Sequence, residues 1–60
     1  MNEINQLLSV CQVHLVQVEV WLGQGEYGKA EFRARELSEN AKLLSNALFR
    51  EQRNSGEVKA

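Results

Sequence analysis

Apolar residues recur along this chain in two unbroken ladders. In the first, Ile4, Leu8, Cys11, Leu15, Val18 and Leu22 follow one another in steps of four and three. In the second, Tyr27, Ala30, Ala34, Leu37, Ala41, Leu44 and Leu48 step by three and four. Such spacing keeps one seam on one side of a helix. Between the ladders lies Gly23-Gln24-Gly25, which leaves room only for a tight reversal. The pattern predicts an all-α fold, an antiparallel two-helix hairpin over residues 1–53. Its helices are expected at 3–22 and 26–53, its turn at 23–25, and a flexible tail at 54–60. Asn2 is placed to cap the first helix, with Glu3 at the positive end of its dipole. Gly23 is the expected left-handed residue that ends it.

A strand competes for part of the first helix. Val16, Val18, Val20 and Leu22 alternate with Gln17, Glu19 and Trp21, and valine favours strands. Helix is preferred because the heptad seam runs from Ile4 to Leu22 without a break and no second strand exists to pair with. The second helix is rich in Ala, Leu, Glu, Lys and Arg, all good helix formers. Gly28 in its first turn costs about 1 kcal/mol relative to Ala. Glu31–Arg35 and Arg35–Glu39 are i,i+4 pairs, each worth about a few tenths of a kcal/mol.

Apolar residues remain outside these seams. Val10, Val13 and Val20 lie roughly opposite the seam of the first helix, with Val16 nearby, and Leu7, His14 and Trp21 form a stripe along its edge. Phe32 and Leu43 share a second face of the other helix. Exposed valines lose rotamer freedom in a helix and gain no packing, so this surface is expected to meet something. Leu7, Val10, Val13, His14, Val20 and Leu43 are the candidate dimer interface. Trp21 and Tyr27 flank the turn, either as an aromatic plug or as binding anchors. With Phe32, Arg33 and Arg35 they form the candidate partner contact, since Trp, Tyr and Arg carry much interface energy.

Size sharpens the expectation of a partner. Sixty residues make at most one domain, and chains this short need a disulfide, a metal or another subunit to gain stability. There is one cysteine, so no disulfide forms within the chain. Self-association is the remaining remedy, and a homodimer forming a four-helix bundle is expected. Met1-Asn2-Glu3 lacks the positive start of a secretory signal, and Val13–Leu22 is too short and too polar to span a bilayer. A lone cysteine suits a reducing compartment, so the expected setting is the bacterial cytoplasm, with no membrane contact.

Reactive chemistry finds little purchase. Cys11 and His14 stand one turn apart, and two copies across a dimer offer a Cys₂His₂ set. Cys11 nevertheless occupies a seam position where a small thiol packs well, so no metal site is expected. Ser9, Cys11 and His14 share a helix without an acid to orient the histidine. Gly23, Gly25 and Gly28 lack the Lys-Ser/Thr of a phosphate loop. The expectation is a non-enzyme without a cofactor. Net charge is −1, yet all seven basic residues fall at or after Lys29, interspersed with glutamates. That distribution disfavours a nucleic-acid face.

Three resemblances bear on function. Gly25-Glu26-Tyr27-Gly28-Lys29-Ala30 resembles the turn of a tetratricopeptide repeat; with one unit present, it implies αα-hairpin geometry rather than peptide binding. The predicted architecture resembles the dimeric RNA binders of the Rop type. Their RNA face includes basic residues on the first helix, and this first helix has none, so no residue carries over. In size, composition and architecture the chain resembles small phage or mobile-element proteins that disable host regulators. That resemblance implies a host protein, such as a transcription activator, as partner, inhibited by surface occlusion. A structural or assembly subunit is the remaining alternative.

Overall fold

The computed structural model describes residues 3–55, with only the backbone described at Ser55. Two helices, α1 (Glu3–Gly23) and α2 (Tyr27–Ser55), fold back on each other as an antiparallel hairpin. The strand alternative for Val16–Leu22 falls away, because the backbone groups of these residues close helical hydrogen bonds. The Asn2 cap and the tail from residue 56 onward lie outside the described residues. Asn54 and Ser55, expected in the tail, continue α2. No helix among the described residues is long and apolar enough to cross a membrane.

The turn lies one residue later than expected, and its left-handed glycine two residues later. Gly23 stays in α1, and Gly25 takes the left-handed conformation, with φ 74°. The Glu26 amide donates to the Trp21 carbonyl at 2.9 Å, and the Gly25 amide donates to the Leu22 carbonyl at 3.1 Å. These are the two hydrogen bonds of a Schellman motif, which satisfies carbonyls that the helix end would leave bare. The Ala30 amide then donates to the Glu26 carbonyl at 3.0 Å and opens α2.

The seam between the helices is also displaced from the expected ladders. On α1 it consists of Ile4, Leu7, Cys11, His14, Val18 and Trp21; on α2, of Ala30, Arg33, Leu37, Asn40, Leu44 and Ala47. Each set steps by three and four. In heptad terms Ile4, Cys11, Val18, Ala30, Leu37 and Leu44 are the a positions, and the other six are d positions. Leu7, His14 and Trp21, expected at an edge or in a dimer interface, thus face α2. Leu8, Leu15 and Leu22 of the expected α1 ladder are exposed, as are Tyr27, Ala34, Ala41 and Leu48 of the expected α2 ladder.

The core that results is small and partly polar. Its buried apolar members are Cys11, Ala30 and Ala47, and no large side chain among the described residues is completely buried. Gln17 and Glu36 flank the seam half-buried. Asn40 donates from Nδ2 to the Glu36 carbonyl at 2.8 Å. His14 Nδ1 and Gln17 Oε1 are enclosed without a hydrogen-bond partner, which costs free energy that apolar packing must offset. Polar groups in such a seam weaken it while specifying its register.

Candidate protein-interaction faces

An antiparallel hairpin has two long edges. Positions g of one helix face g of the other along the first edge, and positions e face e along the second. On the g edge, Arg50 Nη2 donates to Glu3 Oε1 at 3.0 Å, joining the open end of the hairpin. At the turn end of the same edge, Lys29 Nζ sits 4.6 Å from the centroid of the Trp21 ring. These contacts fix the register. Counting inward from them, Val10 lies level with Leu43, and Gln17 with Glu36.

The g edge and its outer flank carry a mixed surface. Val10, Val13 and Val20 come from α1, Phe32 and Leu43 from α2, and all five are exposed. Charges frame them: Lys29 over Trp21, the Glu3–Arg50 pair, and Arg33, whose guanidinium carbon lies 5.5 Å from the Phe32 ring centroid. A cation over an aromatic face holds the ring at modest gain. An apolar centre with a polar, charged rim is the arrangement of a protein interface.

The expected site residues divide among several places. Phe32 and Arg33 meet in a cation–ring contact on the g side, and Trp21, in the seam beside that edge, lies under Lys29. Tyr27 sits on the e edge, 69 % exposed, and does not plug the turn; Trp21 closes that end under Lys29. Arg35 points outward, bound to Glu31 through contacts of 2.8 and 2.9 Å. The hydrogen bond and charge of Glu31 raise its pKa above the ordinary arginine value. Of the candidate dimer residues, Val10, Val13, Val20 and Leu43 lie on the g side, whereas Leu7 and His14 are in the seam.

The e edge is chemically simpler. Leu8, Leu15 and Leu22 of α1 run along it beside Tyr27, Ala34, Ala41 and Leu48 of α2, and every one of these side chains is exposed. No charged residue stands at an e position on either helix. Counting from the same register sets Leu8 level with Ala41, Leu15 with Ala34 and Leu22 with Tyr27. A shallow groove of ≈ 400 Å³ opens beside this edge, lined by Ala41, Leu44, Ser45, Leu48, Phe49 and Gln52. Cys11 is a buried free thiol, and among the described residues no three His, Cys, Asp or Glu side chains gather in a way that could hold a metal ion. Comparison with protein-family models, with curated proteins and with solved structures finds no match for this chain.

Proposed function

We propose that this chain is a non-enzymatic interaction module that binds a regulatory protein of a bacterial host and inhibits it by covering its surface. The observation that carries the reading is the g-side surface, where Val10, Val13, Val20, Phe32 and Leu43 are exposed within a charged rim. The hairpin is a slender rod of 48 × 19 × 13 Å, a shape suited to lying along a groove or a helix pair of another protein. Phe32 under Arg33 and Trp21 under Lys29 are the anchors, and the valines form the surrounding apolar contact.

Nucleic acid is the weaker partner class for this surface. Arg35 is committed to Glu31 and Arg50 to Glu3, which leaves fewer cations for phosphate neutralisation. The test is capture from bacterial lysate with the wild type and with Phe32→Ala and Leu43→Glu, each checked for helicity and each run with and without nuclease. The proposal expects one stoichiometric host protein that survives nuclease, is lost with both variants, and loses its own activity when the purified chain is added. Recovery that depends on nucleic acid would overturn the reading in favour of an RNA or DNA binder. A host protein retained equally by both variants would overturn the assignment of the face.

A further inference from the structure

The e edge is the surface the hairpin leaves unexplained, and its chemistry specifies its occupant. We propose that it is covered by a second copy of this chain, so that Leu8, Leu15, Leu22, Tyr27, Ala34, Ala41 and Leu48 become the inner seam of a dimeric four-helix bundle. This does not rest on the reading of the opposite edge, and it removes Val10, Val13, Val20 and Leu43 from the self-association interface.

The first argument is the width of the apolar stripe. A two-stranded coil needs apolar residues only at a and d, whereas a helix with two neighbours is apolar at a, d and e. Here α1 is apolar at a, at e, and at d except for His14. On α2 the e positions from Tyr27 to Leu48 are apolar, while the d positions include Arg33 and Asn40. The ladder facing away from the hairpin is therefore more apolar than the one used within it. Helix a positions serve both neighbours: Leu37 and Leu44 remain half-buried in the hairpin alone.

Area gives the second argument. A compact folded chain of 6.8 kDa exposes about 4,000 Å², but this chain exposes 4667 Å². A slender rod carries part of that excess by its shape, and a standard interface needs ~800 Å² from each partner, for which the exposed e-edge ladder is the apolar surface at hand. The hairpin by itself encloses only Cys11, Ala30 and Ala47, and a second copy supplies the missing core.

Self-complementarity is the third. A twofold interface must fit itself, so any charge on it needs an opposite charge on the same patch or is buried unpaired. The e edge carries none. It offers a ridge of leucines on α1 beside a trough at Ala34 and Ala41 on α2, so large and small side chains are both present for interlocking. A foreign partner would be distinguished by charge, and this edge provides no charge for the purpose. Homodimer interfaces are the more apolar class.

The test is sedimentation equilibrium of the full chain across micromolar concentrations, with circular dichroism. The wild type is expected to be helical at twice 6.8 kDa. Ala41→Glu, which puts a charge into the trough, is expected to shift it to 6.8 kDa or to a concentration-dependent unfolded chain. Val13→Glu, on the other side, is expected to leave the dimer intact. Because Ala41→Glu can also fail to fold, isotope-filtered NOEs on the mixed-label wild type read the interface directly. Intermolecular NOEs from the Leu15 methyls support the proposal. A wild type that is fully helical at 6.8 kDa overturns it, as do intermolecular NOEs confined to Val13, Val20 and Phe32.

Discussion

Leu15 is the residue whose truncation separates a lone hairpin from an assembled one. In the hairpin it is 49 % exposed, so about half of its side chain is already out of water. Leu→Ala removes apolar surface equivalent to about three methylenes, worth about 0.8 kcal/mol each when fully buried. Half of that is about 1.2 kcal/mol, the cost expected if Leu15 stays at a solvent edge. Covered by a second chain, it becomes a core leucine, whose truncation costs roughly 2–5 kcal/mol including the cavity. The extra loss falls on both chains, so a further 1 kcal/mol per chain, ~2 kcal/mol per dimer, weakens association about thirtyfold. Thermal melts followed by circular dichroism over a range of protein concentrations measure this. The wild-type midpoint should rise with concentration, and the loss caused by Leu15→Ala should grow from the solvent-edge value at low concentration toward the core value where the wild type is assembled. A wild-type midpoint independent of concentration, with the same ~1 kcal/mol loss for Leu15→Ala throughout, would refute the reasoning.

Other predictions concern the turn, the seam and the thiol. Gly25→Ala should destabilise by about 1–2 kcal/mol, because its φ of 74° is costly for a residue with Cβ. Gly23→Ala should stabilise by about 0.5–1 kcal/mol, since Gly23 is helical and an added Cβ meets nothing within 4 Å. Urea melts of the two variants should move in opposite directions, and similar shifts would show the turn misplaced. Leu37→Ala, at the middle of the α2 seam, should cost about 2 kcal/mol or more; a wild-type melt would disprove that seam. Cys11 should resist labelling by a small disulfide reagent until the helices part, so its rate should climb with urea. Rapid labelling in native buffer would mean that Cys11 does not lie between the helices.

The hairpin and its reversal were legible because apolar spacing and a glycine pair speak locally. Which glycine turns left was not, because Gly23 and Gly25 have equal freedom, and the choice depends on the phase at which α2 must return. The seam was displaced for a related reason. Ile4, Cys11 and Val18 belong equally to a ladder completed by Leu8, Leu15 and Leu22 and to one completed by Leu7, His14 and Trp21. Counting apolar residues selects the first. The antiparallel return of α2 selects the second, and it brings in polar residues such as Gln17, Asn40 and Glu36 that apolar spacing passes over. The apolar a, d and e positions of α1 are the sequence signal on which the proposed second seam rests. At the turn end, Tyr27 and Trp21 are close in sequence but fall on opposite edges, since e and d positions flank the a position from different sides.

The left-handed residue at position 25 also decides which chain supplies the second helix of each pair. Were the backbone at 24–26 to continue as right-handed helix, α1 and α2 would merge into one helix from Glu3 to Ser55, roughly 80 Å long at 1.5 Å per residue. The same seam, from Ile4 to Trp21 against Ala30 to Ala47, would then form between two molecules instead of within one. Every side-chain contact of the hairpin is available to such a swapped pair, so packing alone does not choose between them. The choice is made by one φ angle and the two Schellman hydrogen bonds that close around it. Gly25 thereby works as a topological lock, keeping each chain folded onto itself before it meets any other.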